Sequence, residues 1–420
     1  VKKRVIVVGG GAAGMTAAVA AGRLGAAVTI LEKNPRVGKK ILATGNGRCN
    51  FTNIKIKGER AHTYYHGANP EFARSALADF SVDDTLRFFE KLGIAHKVEE
   101  EGKVFPRSDQ ASSFLDVFRY ELDELDVNIR CEARVIEIRK DGKNGEFRVE
   151  LENGETHRGD AVIIATGGKA APATGSDGDG FLLAKKLGHT VTDLFPALVQ
   201  LMLEGDFFPR IAGVKLVGTA EILYKNESLA KDRGDILFAD YGVSGPPILQ
   251  ISRKAGELLN AGKEAYLKIN IMDTFTREEL RQLLQKRFQA GGKKPLDFSL
   301  VGLINKRLIP VILMEAGLGS KPKDWQFPAA SLPLAEQERI LQVLTDWRFK
   351  IRRTRSWPSA QVTAGGIDTR EIDEKTMESK LVKGLFFAGE VIDIDGDCGG
   401  FNLQWAWSSG YIAGRNAALG

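Results

Sequence analysis

Cysteine is scarce: Cys49, Cys131 and Cys398 are the only three in 420 residues, and they stand far apart. No CxxC occurs, which excludes a zinc ribbon and a thioredoxin-type pair. So few unpaired thiols fit a reducing cytoplasm. Histidine is scarce as well. His62, His66, His96, His157 and His189 have no metal-ligand spacing, so no metal site is expected and each is read as solvated or internally satisfied. GxSxG, Walker and HExxH patterns are absent, which leaves hydrolase and kinase readings without support. Long apolar runs are missing too. The one behind the basic start Val1-Lys2-Lys3-Arg4 stops at Gly9, too soon for a signal peptide or a membrane span. The expectation is a soluble, cytoplasmic protein with no membrane partner.

Glycine, by contrast, is plentiful, and its 46 residues gather at strand ends. The apolar run at 3–8 meets Gly9-Gly10-Gly11-Ala12-Ala13-Gly14, an Ala-rich stretch runs to Leu24, and Ala27–Leu31 reads as a second strand. This is a βαβ unit, the context in which GxGxxG signals a dinucleotide site. Gly9 suits the tight turn, Gly11 the close approach of phosphate, and Gly14 close packing of helix on strand. The helix start offers N–H groups and a partial positive charge to the pyrophosphate. Glu32 stands at the tip of the second strand, placed to accept from both ribose hydroxyls and to disfavour a 2′-phosphate. FAD or NAD is implied, not NADP.

Other motifs favour FAD, whose isoalloxazine must be held well beyond the pyrophosphate. A second Gly-rich segment spans Gly38, Lys39, Thr44, Gly45, Arg48, Cys49 and Asn50. Strand 161–165 runs into Thr166-Gly167-Gly168, and strand 384–388 into Gly389-Glu390, an acid placed for the ribityl chain. Gly399-Gly400-Phe401-Asn402 opens a helix whose N-terminus suits the flavin N1/C2=O edge. Ala12, Ala13, Lys33 and Val135 complete the expected cofactor contacts. With one GxGxxG only, NAD(P)H is expected as a transient electron donor. Hydride transfer through N5 belongs to the flavin, so the protein must supply position and a proton. Asp397 and Cys398, beside the flavin-edge motif, are the catalytic candidates, although a free cysteine more often packs as a small core residue.

Between these ends the texture changes. Residues 71–92 read as paired amphipathic helices and 127–151 as β-ribbons, with turns at Asp141-Gly142 and Asn153-Gly154. Residues 211–224 and 264–271 read as strands, 276–290 and 299–316 as basic helices. The expected fold is α/β: a Rossmann-like FAD-binding domain from 1–190 and 357–420, a β-rich insertion from 191–272 and 325–356, and a helical insertion from 273–324. Net charge is +5, yet residues 271–360 carry 16 Lys and Arg against 9 Asp and Glu. Residues 347–355 alternate, which sets Arg348, Lys350 and Arg352 on one face and Trp347, Phe349 and Ile351 on the other. Such a stripe suits a phosphate backbone, so these three are the candidate RNA contacts; a solvated face is the plainer alternative.

Several motifs together resemble one flavoprotein family: Gly9–Gly14, Thr-Gly-Asn-Gly-Arg-Cys-Asn at 44–50, Ala-Thr-Gly-Gly at 165–168, Phe-Ala-Asp-Tyr-Gly-Val-Ser-Gly-Pro at 238–246, Ala-Gln-Val-Thr-Ala-Gly-Gly at 360–366, and the run at 388–402. These are the NAD(P)/FAD-dependent oxidoreductases of the aminoacetone-oxidase, bile-acid-enone-reductase and ribosomal RNA dihydrouridine-synthase type. The resemblance implies FAD held between the two chain ends and an insertion over the flavin. Asn46 departs from it, since the family more often shows Gly there. The expected function is reduction of an activated C=C, with uridine in ribosomal RNA as the leading substrate; a small-molecule amine oxidase or enone reductase, and an RNA-binding factor with structural FAD, are the alternatives.

Overall fold

The computed structural model describes residues 2–141 and 145–420; Gly142, expected in a turn, lies outside the described residues. Two units are distinguished, one formed by Val1–Pro196 with Trp357–Gly420 and the other by Ala197–Ser356.

The first unit is organised around a five-stranded parallel sheet. Strand β1 (Arg4–Val8) lies at its centre, between Ala161–Ile164 and β2 (Ala27–Leu31), with Leu385–Phe387 and Asn128–Arg130 at the edges. Val5 to Val8 are all buried, the unbroken apolar run that a strand covered on both faces requires. Helix α1 (Ala12–Arg23) follows β1, and its alanines both favour helix and let a neighbour come close. That neighbour is the last helix, Phe401–Leu419. A Cβ on Gly410 would stand 2.4 Å from the Ala13 carbonyl oxygen, and one on Gly414 2.1 Å from that of Ala17. Only glycine permits this contact.

The expected helices at 71–92 are Ala73–Asp79 and Val82–Lys91, the latter opened by a Ser81/Asp84 capping box. The ribbon differs from expectation. It consists of Val135–Lys140, Phe147–Leu151 and Thr156–Gly159, whereas Asn128–Arg130 pairs parallel with β2. Alternation signals a half-buried strand and says nothing about its partner.

The second unit holds a closed six-stranded antiparallel barrel, in the order Leu201–Leu203, Gly242–Ser244, Glu227–Ala239, Lys215–Tyr224, Tyr266–Asn270 and Trp347–Thr354. Residue 211 closes a helical turn, Phe208–Ile211, and the strand begins only at Lys215. Residues 277–290 form the expected helix, with Thr276 and Glu279 as a capping box. The helix expected over 299–316 is broken into Leu296–Ser299 and Ile309–Glu315. Gly302 sits at φ +81° between them, and Pro310 can only occupy a first turn. Residues 191–272 and 325–356 hold helices besides strands, Pro246–Asn260 and Leu334–Thr345. Among the described residues no helix is long and apolar enough to cross a membrane.

Candidate functional site

At the end of β1 the glycines divide their work. A Cβ on Gly14 would lie 1.9 Å from the Gly9 carbonyl oxygen, so this residue sets how closely α1 approaches the strand. A Cβ on Gly11, the residue that caps α1, would meet nothing within 4 Å. Space therefore opens at Gly11, beside the first turn of α1, whose backbone N–H groups have no partner in a preceding turn. An anionic diphosphate fits such a cradle.

Glu32 ends this crevice and is 8% exposed. Its Oε2 accepts from Gly10 N at 2.8 Å, and its Oε1 from Asn34 N and Nδ2 at 2.8 and 2.7 Å. The carboxylate is thus fixed in direction, and Oε2, with a single donor, keeps a lone pair for a further one. Lys33 turns to Asp177 and Asp179, and Asp179 also holds Arg134, one residue before the buried Val135. Gly38 donates its N–H to Gly10 O at 2.7 Å, while Lys39 is half-buried. Its neighbour Lys40 escaped the sequence reading: its Nζ reaches Glu390 Oε2 at 2.7 Å.

Glu390 is a junction. Its Oε1 accepts from Thr363 N at 2.8 Å, and Thr363 Oγ1 accepts from Lys169 N and Ala170 N at 2.7 and 2.9 Å. The segment Thr166-Gly167-Gly168 is thereby tied to Gly389-Glu390. A Cβ on Gly168 would fall 2.3 Å from Thr363 Oγ1.

The loop 44–50 carries backbone that few residues tolerate. Asn46 sits at φ +56°, so the departure from Gly costs little, because Asn is among the side chains that accept the left-handed region. Thr44 Oγ1 donates to Ile41 O, Gly45 packs under Asn50 N, and Asn50 Oδ1 accepts from Val104 N at 3.2 Å. Arg48 is engaged by Glu99 and Asp109 and lies 4.1 Å from the centre of the Phe105 ring. Cys49 is fully buried, and desolvation pushes its thiol up to about 12, against a smaller lowering from its Thr44 hydrogen bond. A thiol held protonated does not alkylate. Native protein at pH 8 should leave Cys49 unmodified by iodoacetamide, as peptide mass mapping will read, whereas urea should expose it; rapid native labelling would contradict its burial.

The last helix begins at Gly399-Gly400. Asn53 Nδ2 donates to Gly399 O at 2.9 Å, and Asn402 closes the turn before it, its Oδ1 accepting from Gly396 N and its Nδ2 donating to Gly396 O, both at 2.8 Å. Gly389 N donates to Ser409 Oγ, which seats the strand end on this helix. Of the two catalytic candidates, Cys398 is half-buried. Asp397 meets a residue that sequence reasoning had set aside, since His66 Nε2 lies 2.7 Å from Asp397 Oδ1. Tyr65–His66 pairs antiparallel with Asp395–Gly396, and Tyr64 stacks on Phe401 with ring centres 4.8 Å apart.

In the second unit the alternation of 347–352 is as expected: Trp347, Phe349 and Ile351 are buried, while Arg348 and Arg352 are exposed. The charge of that face is not. Arg348 Nε reaches Asp346 Oδ1 at 2.7 Å, and Lys350 Nζ reaches Glu264 Oε1 at 2.5 Å. Two of the three cations are neutralised, Arg348 by a carboxylate two residues earlier on the same face and Lys350 by one 86 residues away that no local period shows. Arg277 and Arg281 pair with Glu338, and Arg287 is spent on the Ser299 and Val301 carbonyls.

The family model described as HI0933-like protein Rossmann domain matches residues 3–416. A 3-dehydro-bile acid delta(4,6)-reductase of Clostridium scindens is 39% identical over 99% of both chains. A ribosomal RNA dihydrouridine synthase of Escherichia coli is 32% identical over 98% of this chain and 97% of that one. Among solved structures, a 3-ketosteroid delta1-dehydrogenase from Sterolibacterium denitrificans covers the whole of both chains with a TM-score of 0.53 at 13% identity, a likeness of fold.

Proposed function

The chain belongs to the HI0933-like Rossmann-domain family and is an FAD-dependent oxidoreductase, and from that premise we propose that it saturates a carbon–carbon double bond conjugated to a carbonyl in a small molecule. The observation that carries the cofactor assignment is the open cradle over Gly11, closed off by the fixed carboxylate of Glu32. In this reading Gly11, Ala12 and Ala13 take the pyrophosphate, Glu32 the ribose, and Glu390 with Lys40 the ribityl chain. The first-turn N–H groups of Phe401–Leu419 receive the polar edge of the ring. Bound FAD supplies hydride transfer through N5. A reduced nicotinamide is the proposed transient donor.

The small-molecule acceptor is supported by the 39%-identical relative and by the neutralised stripe on 347–352. Uridine in ribosomal RNA is the second reading. It is favoured by the 32%-identical relative, and its C5=C6 bond, conjugated to C4=O, calls for the same chemistry. The test is anaerobic: holoprotein bleached with NADPH is offered a 3-dehydro-Δ4,6 bile acid or ribosomal RNA, and product mass is followed. Recolouring with a gain of two daltons in the steroid supports the first reading, and the same gain in the RNA the second. No recolouring with either acceptor overturns both.

A further inference from the structure

Saturating a double bond takes a hydride on one carbon and a proton on the other, and the source of that proton is open. We propose that His66 is the proton donor, with Asp397 as the residue that positions it. This rests on the reading that the flavin lies along the first turn of Phe401–Leu419.

Among the five histidines His66 has the geometry for the task. His189 is enclosed, its two ring nitrogens spent on Glu371 and Ser379 at 3.1 and 2.9 Å. His62 and His96 pair with exposed glutamates. His66 is half-exposed, and its Nε2 is held at 2.7 Å by Asp397 Oδ1. Its Nδ1 has no partner among the described residues, so one nitrogen is oriented and the other is open. A carboxylate on one ring nitrogen fixes the tautomer and steadies the imidazolium, which leaves the opposite nitrogen to exchange the proton.

The aspartate is itself held at both ends of its backbone. Asp397 N donates to Tyr64 O at 3.0 Å, and Asn402 Nδ2 donates to Asp397 O at 3.2 Å. Asn402 belongs to the first turn of the last helix, so the pair is anchored to the turn proposed to receive the ring. The strand pairing of Tyr65–His66 with Asp395–Gly396 fixes the other half, and Tyr65 Oη donates to Phe401 O at 3.0 Å. Asp393 and Asp395 flank the loop, Asp393 Oδ2 accepting from Ala68 N.

The step balances as follows. The β-carbon of the conjugated double bond accepts a hydride with its electron pair, and the π electrons move toward the carbonyl as an enolate. The α-carbon then takes the proton from His66 Nδ1, leaving neutral imidazole, which solvent reprotonates. The nicotinamide donor supplies the two electrons and is oxidised.

The experiment uses holoprotein and two acceptors of like shape, 2-cyclohexenone and 1-nitrocyclohexene. Hydride addition to the nitroalkene leaves a nitronate, an anion stable enough to depart without a proton from the enzyme. His66→Gln should keep its flavin, its visible spectrum and its rate of bleaching by NADPH. It should lose about 100- to 1,000-fold in enone reduction and stay within about threefold of the parent on the nitroalkene. Asp397→Asn should show the same split, about tenfold on the enone, and Asp397→Glu should restore most of it. Equal loss on both acceptors, or no loss on either, overturns the proton assignment alone. A parent protein that reduces neither acceptor overturns the double-bond reading and the assignment with it.

Discussion

Gly14→Ala should give protein that fails to fold, whereas Gly11→Val, three residues earlier in the same motif, should give folded protein without flavin. The added methyl at 14 would sit 1.9 Å from the Gly9 carbonyl oxygen, and that oxygen belongs to backbone at the end of the central strand. Relief requires α1 to lift off β1, and α1 is also the surface on which Phe401–Leu419 packs through Gly410 and Gly414. The expected cost is about 4–5 kcal/mol, in the range where a single change unfolds a domain. At Gly11 a side chain meets open space and φ is −83°, so Val is accommodated at a cap cost of about 1 kcal/mol. It then occupies the proposed phosphate cradle. Losing two hydrogen bonds to a charged group, about 1.5–3 kcal/mol each, should weaken FAD at least about 100-fold. Thermal melts and flavin absorbance per chain separate the two outcomes. A yellow Gly11→Val protein would remove the pyrophosphate from this cradle, and a normally folding Gly14→Ala protein would show that α1 has room to move.

Trp347→Ala should cost about 3–5 kcal/mol, the usual toll for removing a large aromatic from a packed core. The indole is 2% exposed, with Phe349, Phe238 and Phe207 centred 4.8, 5.7 and 6.0 Å away, and its Nε1–H donates to Glu315 Oε2 at 3.3 Å. Deletion leaves a cavity among three rings and a carboxylate without its donor. Urea denaturation, with hydrogen exchange across 266–270 and 347–354, should register the loss in the barrel. A change below about 1 kcal/mol would mean that the ring is not a core residue. The other face of the same strand should behave oppositely. Arg348, Lys350 and Arg352 converted together to Gln should leave the denaturation midpoint in place. If RNA is the acceptor, the slope of log K against log salt should fall by about 0.7–0.9, one phosphate contact, because Arg348 and Lys350 already have partners.

The contrast between those two faces marks what was legible in the sequence. Local order was: β1, α1 and β2 follow from a run of apolar residues, a glycine turn and an alanine-rich helix, all between Arg4 and Leu31. The orientation of Trp347 and Arg348 follows from a two-residue period. Partners were not. Alternation at 128–130 did not reveal a parallel neighbour, and basic composition at 299–316 hid a break at Gly302 and Pro310. At the site, the glycines and Glu32 carry their own spacing signal. Lys40 with Glu390 and His66 with Asp397 are pairs separated by 350 and 331 residues, and no local pattern encodes them. Adjacent aromatic and imidazole residues at 64–66 were the one trace available, and they read equally well as a polar loop.

The strand Leu385–Phe387 adds an edge to the sheet that β1 begins and the helix Phe401–Leu419 packs on α1, with all of Ala197–Ser356 translated in between. On a ribosome the chain therefore makes the start of the proposed cofactor cradle before the barrel and the wall of it after. The nascent first βαβ unit must wait, its alanine face uncovered, while the barrel is synthesised. On the proposed site, flavin capture waits until Phe401–Leu419 has been made, and a chain cut short within the barrel should be colourless, with the α1 surface that this helix covers left bare.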